Sequence, residues 1–167
     1  MGKLLNQVFL FCACLFALGG QATADSLTDA GRAYIAGNFA KAEKIFRPLA
    51  QQGNAVAQFN LGVMYSYGQG VPQDYKEAVK WYRMAAEQGA ADAQETLGLM
   101  YMDGTGVPHD YVMSHMWLTI AKINTDSEEQ QNIIDFLKLV AKQMTESQIA
   151  EAQELARKCA ANKFKGC

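Results

Sequence analysis

Apolar side chains in the middle of the chain recur at the spacing of an α-helix. They follow the positions i, i+4, i+7 and i+8 in one run and i, i+3, i+4 and i+7 in the next. These residues are Ala57, Leu61, Met64 and Tyr65, then Ala78, Trp81, Tyr82 and Ala85. Such spacing places each run on one face of a helix. The pattern predicts two amphipathic helices joined by the octapeptide GQGVPQDY at residues 68–75.

The same helix pair occurs again 36 residues later. When residues 57–85 are shifted onto 93–121 without a gap, 14 of the 29 pairs are identical. A shorter copy precedes them, in which Gly31, Tyr34, Gly37 and Ala42 align with Gly62, Tyr65, Gly68 and Ala78. Helix pairs of this size bury their apolar faces only by stacking on neighbours. We therefore predict an all-α fold, an α-solenoid of antiparallel helix pairs.

The glycine-rich octapeptides GQGVPQDY and GTGVPHDY are interpreted as turns between helices. Neither has the Lys-Ser/Thr pair of a phosphate-binding loop, and the upstream copy shortens the loop to GNF at residues 37–39. We expect positive φ at the loop glycines, and Asp74 and Asp110 as caps of the helices that follow. Gly62 and Gly98 lie inside helices, which indicates that two helices approach closely there.

Two aromatic pairs recur at the repeat spacing, Trp81 with Trp117 and Tyr75 with Tyr111. They are candidates for ligand stacking, but their helical spacing favours packing in the core. Beyond residue 121 the repeat fades, and two further helices are predicted as a C-terminal cap. One starts near Ser127, and the other at Thr145, where TESQ has the spacing of a capping box.

The N-terminus has the features of a cleaved secretory signal. Lys3 gives a positive start, residues 8–18 are an apolar run of 11, and the Ala-Thr-Ala of residues 22–24 precedes Asp25. Eleven residues are too few for a transmembrane helix. We predict cleavage after Ala24 and a periplasmic or secreted protein that has no membrane attachment after cleavage.

Charge excludes some classes of partner. The chain has 15 Lys plus Arg against 17 Asp plus Glu, a net charge of −2. Nucleic acids and anionic membranes need clustered basic residues. We therefore expect no nucleic-acid partner.

Two cysteines follow the predicted signal, Cys159 and Cys167. In an oxidising compartment such a pair favours a disulfide, and free or intermolecular thiols are the alternative. Eight residues of helix rise about 12 Å, too far for a disulfide, so the helix must end between the two cysteines. Asn162 or Gly166 can take the left-handed conformation that lets the chain fold back there.

The string LGVMYSYGQGVPQDYKEAVKWYRMAAEQG at 61–89 resembles a Sel-one-like repeat, and LGLMYMDGTGVPHDYVMSHMW at 97–117 resembles a partly degenerate second copy. The upstream copy resembles the related tetratricopeptide repeat. The predicted organisation is a signal at 1–24, a short tetratricopeptide-like repeat at 25–56, Sel-one-like repeats at 57–92 and 93–126, and a helical cap at 127–167.

The resemblance implies a module that binds a protein or peptide in a concave groove lined by the first helix of each pair, and we expect it to be monomeric or weakly associating. By analogy with tetratricopeptide arrays, the groove residues are Arg32, Ile35, Phe59, Val63, Ser66, Tyr67, Glu95, Leu99, Met102 and Asp103. Some of these, Phe59 and Val63 above all, are alternatively packed on the adjacent hairpin.

Two alternatives remain open, an envelope assembly protein and an enzyme. A cysteine-rich secreted branch of the family, with the spacing of Cys159 and Cys167, is linked to β-lactam binding and hydrolysis. In this chain residues 57–121 contain no cysteine, and no serine after the signal precedes a lysine by three residues. His109 and His115 are interpreted as surface or packing residues. We predict no catalysis, no metal and no cofactor.

Overall fold

The computed structural model describes residues 24–125 and 130–167, which form eight helices and no strand. The helices are α1 (residues 24–35), α2 (Phe39–Gln51), α3 (Ala55–Tyr67), α4 (Tyr75–Ala86), α5 (Ala91–Asp103), α6 (Tyr111–Asn124), α7 (Gln130–Ala141) and α8 (Glu146–Ala161). The predicted signal up to Thr23 and the predicted helix start at Ser127 lie outside the described residues.

Consecutive helices from α2 to α7 pack against each other, and α8 packs on α6. Buried apolar side chains form three clusters. The first contains residues of α1, α2, α3 and α4, the second residues of α4, α5, α6 and α8, and the third residues of α6 and α7. The described chain is therefore an α-solenoid of antiparallel helix pairs, as the sequence pattern predicts.

The elbows between α3 and α4 and between α5 and α6 have the predicted geometry. Gly68 and Gly104 end the preceding helices in the left-handed conformation, with φ of 66° and 70°. The Asp74 carboxylate accepts hydrogen bonds from the N–H groups of Lys76 and Glu77, and Asp110 caps α6 in the same way. Each elbow thus fixes the start of the second helix of its pair.

The two glycines inside helices mark close helix crossings, as expected. A Cβ atom added to Gly62 would lie 2.6 Å from the Tyr82 ring, and one added to Gly98 would lie 2.7 Å from the side chain of Leu118. Each contact joins the first and second helices of one pair. A side chain at either position would separate those helices.

The C-terminal helices cover α6 from two sides. Thr145 begins α8 with the predicted capping box, in which its hydroxyl accepts from the N–H of Gln148. A disulfide joins Cys159 and Cys167, whose Cα atoms lie 5.7 Å apart. The left-handed residues between them are Lys163, Phe164 and Gly166, whereas Asn162 has a φ of −89°.

Of the two candidates for the left-handed conformation, Gly166 adopts it and Asn162 does not, because Asn162 is the C-cap and the next residue, Lys163, is the left-handed one. The backbone N–H of Lys163 bonds to the carbonyl of Ala160, and the N–H of Phe164 bonds to that of Cys159. These are the two bonds of a Schellman motif, in which the residue after the cap is left-handed. The Phe164 ring lies against Gly89, in the turn between α4 and α5. The disulfide therefore closes a turn that anchors α8 to the repeats.

Candidate functional site

A buried glutamine positions the first helix of each long repeat. The Gln58 side chain donates to the carbonyl oxygen of Ala50 at 3.0 Å, and Gln94 donates to that of Ala86 at 3.0 Å. These carbonyls belong to the last turn of the preceding helix, where each also accepts from the backbone N–H of a turn glycine, Gly53 or Gly89. The glutamine therefore ties the start of one repeat to the end of the previous one.

A second polar contact crosses the same junction. Arg47 donates to the hydroxyl of Tyr65 at 3.1 Å, and Arg83 donates to that of Tyr101 at 2.7 Å. Both members of the second bridge lie 36 residues after those of the first. Together with the glutamines, these bridges fix the angle between successive repeats, and so the spacing of α3 and α5.

An open cavity of about 250 Å³ lies between α3 and α5, which we call the first cavity. It is lined by Ser66, Tyr67, Tyr75, Tyr82, Thr96, Leu99, Met100, Asp103 and Thr105. The Tyr67 side chain is 71% exposed at its rim. At its base the hydroxyl groups of Ser66 and Tyr82 lie 3.2 Å apart in a hydrogen bond. Burial raises the pKa of Tyr82 to about 12, so this phenol stays neutral.

A second cavity of about 220 Å³ lies between α5 and α7, which we call the second cavity. It is lined by Met102, Asp103, Tyr111, Leu139, Val140 and Gln143. Met102, Asp103 and Tyr111 are the repeat equivalents of Ser66, Tyr67 and Tyr75 in the first cavity. Here α7 takes the place that the first helix of a further repeat would have. The two cavities share Asp103.

The predicted groove residues fall into three groups in the structure. Ser66, Tyr67, Leu99 and Asp103 line the first cavity, and Met102 and Asp103 line the second. Phe59 and Val63 are partly buried against the core, and the Phe59 ring lies 5.6 Å from that of Tyr82. Arg32, Ile35 and Glu95 line neither cavity.

Arg32 and Ile35 lie on the exposed surface of α1, where Arg32 pairs with Asp29 at 3.3 Å and Ile35 is 87% exposed.

The sequence interpretation missed the tyrosines of the elbows. Tyr75 was expected in the core, but it is 42% exposed and lines the first cavity. Tyr111 is partly buried and lines the second cavity. Each directly follows a capping aspartate, and this position at the start of the helix is the signal that would have indicated it. The tryptophans behave as predicted, since Trp81 and Trp117 are 8% and 0% exposed.

The polar groups of the described chain do not assemble into a metal site. No cluster of three His, Cys, Asp or Glu residues suited to a metal occurs within 24–125 and 130–167. His115 is buried with its Nδ1 atom 3.3 Å from the Thr119 hydroxyl, and burial lowers its pKa. His109 packs edge-on against the ring of Tyr111. Among the described helices none is both long and apolar enough to cross a membrane.

Stacked antiparallel helix pairs with an open cleft across their first helices define the α-solenoid class of repeat proteins. The family model of the Sel1 repeat matches residues 55–89 and 91–123. The chain therefore carries two Sel1 repeats, and the resemblance seen in its sequence is confirmed. Sel1 repeats generally mediate protein–protein interaction and are typically non-catalytic.

Two solved structures are similar to this chain. A protective antigen present in uropathogenic Escherichia coli strains, with an SLR fold, aligns with a TM-score of 0.76 and 29% identity over 85% of this chain. The chain spans 31% of the length of that antigen. A Sel1 repeat protein from Oxalobacter formigenes aligns with a TM-score of 0.60 and 29% identity, over 72% of this chain and 97% of its own. No curated protein matches the chain significantly.

Proposed function

We propose that this protein binds a partner protein or peptide in the cleft formed by the first and second cavities, and that it does so as a monomer outside the cytoplasm. The observation that carries the proposal is the first cavity. It is open, it lies between helices held by the glutamine and arginine contacts, and four predicted groove residues line it. Pre-stacked helices favour recognition because little conformational entropy is lost on binding.

Export is supported by the N-terminal sequence and by the disulfide. The apolar run at residues 8–18 is followed by small residues before Asp25. The disulfide between Cys159 and Cys167 is of the kind that persists in oxidising compartments. Mass spectrometry of the protein from the exporting cell is expected to find an N-terminus at Asp25. A cytosolic chain that retains residues 1–24 would contradict this part of the proposal.

Site-specific photo-crosslinking tests the binding surface. A crosslinking amino acid is placed at Tyr67 or Met102 in the exporting cell, with a matched control at Lys76, which is exposed on α4 and lines neither cavity. We expect a discrete protein adduct from the two cleft positions and none from the control. Equal capture from Lys76 would locate binding elsewhere and contradict the proposal.

A chromogenic β-lactam tests the enzymatic alternative. The hydroxyl of Ser66, the serine that lines the first cavity, is hydrogen-bonded to Tyr82, and Ser114 is fully buried. We expect no turnover above background by the purified mature protein. Turnover that is lost on mutation of one residue would show an enzyme instead.

A further inference from the structure

The charged residues of the repeats are segregated between the first and second helices of each pair. The first helices are α3, which has no charged residue, and α5, whose only charged residues are Asp92, Glu95 and Asp103. The second helices are α4, with Lys76, Lys80 and Arg83 against one acid, and α6, whose only charged residue is Lys122. The first helices therefore carry only negative charge, and of their three acids Asp103 is the one that lines the cleft.

Among the described residues, Asp103 is the one charged residue that lines the first and second cavities. It lies at their junction, it is exposed, and it takes part in none of the ion pairs of the described residues. Lys138 on the facing helix α7 is paired with Asp135 at 2.8 Å, and Arg83 donates to Tyr101. The cleft thus presents a carboxylate without a cation of its own.

The position of Asp103 on its helix adds to this negative potential. It is the last residue of α5, whose final turn has no basic residue. A helix C-terminus carries a partial negative charge, so a carboxylate there is unfavourable unless a cation approaches. The positive ends of α4 and α6 also reach the cavities, but each is capped by the carboxylate of Asp74 or Asp110.

Apolar surface flanks the carboxylate on both sides. In the first cavity Leu99 and the rings of Tyr67 and Tyr75 are accessible, and in the second Met102, Tyr111 and Leu139 line the wall. Tyrosine rings beside a carboxylate suit the alkyl chain and the charged end of a basic residue. Because Tyr75 and Tyr111 are one repeat apart, the cavity on each side of Asp103 has an elbow tyrosine in its lining.

We propose that the cleft recognises a lysine or arginine of the partner polypeptide at Asp103, with an apolar residue on each side in the first and second cavities. This inference rests on the proposed function and specifies its ligand. The occupant is an extended segment of another protein, because the two apolar sites and the carboxylate follow one another across successive repeats.

A random heptapeptide display library tests the inference without assuming a sequence. The library is panned on the wild-type mature protein, on Asp103→Lys, and on Asp92→Asn as a matched control on the same helix outside both cavities. We expect the wild type and the control to enrich peptides with a basic residue between apolar residues, and Asp103→Lys to lose that preference. Circular dichroism checks that each variant is folded.

Fluorescence anisotropy of an enriched peptide then measures the contribution of the carboxylate. We expect Asp103→Asn to weaken binding about threefold to fivefold, as for a partly exposed ion pair. Asp103→Lys should weaken it by about tenfold or more because it adds repulsion. Replacing the basic residue of the peptide with glutamine should match the effect of Asp103→Asn, and the control variant should bind like the wild type.

Two results would overturn the inference, and they differ in whether the proposed function is refuted as well. Enriched peptides without a basic residue, or equal binding by wild type and Asp103→Lys, would refute the charge recognition and leave the proposed function intact. Failure to enrich any peptide, together with no adduct from Tyr67 in the crosslinking experiment, would refute both.

Discussion

A Cβ atom added to Gly106 would lie 2.5 Å from the backbone oxygen of Tyr75, at the start of the preceding repeat's second helix. One repeat earlier, Gly70 has the same relation to Phe39, whose backbone oxygen would lie 2.7 Å away. The second glycine of each elbow is therefore a contact between repeats as well as a turn residue. The short loop at residues 37–39 lacks this second glycine. Among the described residues no elbow precedes that loop, so it has no such contact to make.

Replacing Gly106 with alanine tests this contact. We expect the free energy of unfolding to fall by about 3 kcal/mol, because the left-handed strain of about 1 kcal/mol is joined by a clash with backbone. Gly37→Ala is the matched control, since both residues have a φ of 73° but nothing lies within 4 Å of Gly37. Urea denaturation measures both variants. Equal losses would show that only the turn conformation matters.

The buried amide of Gln94 gives a second prediction. Its side chain is fully buried, donates to the carbonyl of Ala86 and accepts from Asn124 at 2.8 Å. Gln94→Met keeps most of the volume but removes both hydrogen bonds of the amide, whereas the Ala86 carbonyl keeps the N–H of Gly89 at 2.9 Å. The loss of two hydrogen bonds should cost about 1–2 kcal/mol.

Asn124→Ala is the control for Gln94, because it removes the exposed donor and leaves the bond to Ala86 in place. We expect it to cost about 0.5–1 kcal/mol in the same urea titration. If the two variants were equally stable, the bond to Ala86 would contribute nothing to the junction between repeats.

The helices and their order follow from the sequence because each depends on local features. Periodicity gives the helical faces, and a carboxylate such as Asp74 can be recognised as a cap from its position before an apolar run. The cleft is less predictable because it depends on contacts between repeats. The analogy with tetratricopeptide grooves correctly predicts that Leu99 and Asp103 line the cleft. It cannot show that Phe59 packs against Tyr82, or that Tyr75 lies outside the core.

Repeated residues that have a polar role cannot be told from repeated core residues in the sequence. Gln58 and Gln94 recur like the core residues, and only the structure shows that they donate to carbonyls in the last turn of the preceding helix. The turn between Cys159 and Cys167 is predicted only in part for a related reason. Gly166 is left-handed as predicted, but so are Lys163 and Phe164, which have no intrinsic preference for that conformation and are held there by the Schellman bonds and the disulfide.

Removing the disulfide should destabilise the C-terminal cap. For a closed loop of this length the loss is about 2–3 kcal/mol, from the greater entropy of the unfolded chain. We expect Cys159→Ala with Cys167→Ala to lower the unfolding free energy by that amount, and dithiothreitol to have the same effect on the wild type. As a control, dithiothreitol should leave the double variant unchanged. An unaltered urea midpoint after reduction would contradict a stabilising role.

Protonation of His115 should destabilise the protein at mildly acidic pH. Burial lowers its pKa in the folded state, whereas the unfolded value is about 6.5. The unfolded state therefore binds the proton more tightly, so the contribution of His115 to stability is constant above about pH 7.5 and falls as the pH drops below about 6.5, until the folded pKa is passed. The loss is about 1.4 kcal/mol for each pKa unit of lowering. Urea unfolding of the wild type and His115→Gln between pH 5.5 and 8 measures the difference. A wild type and a His115→Gln variant with parallel pH profiles would show that the proton on His115 is not linked to unfolding.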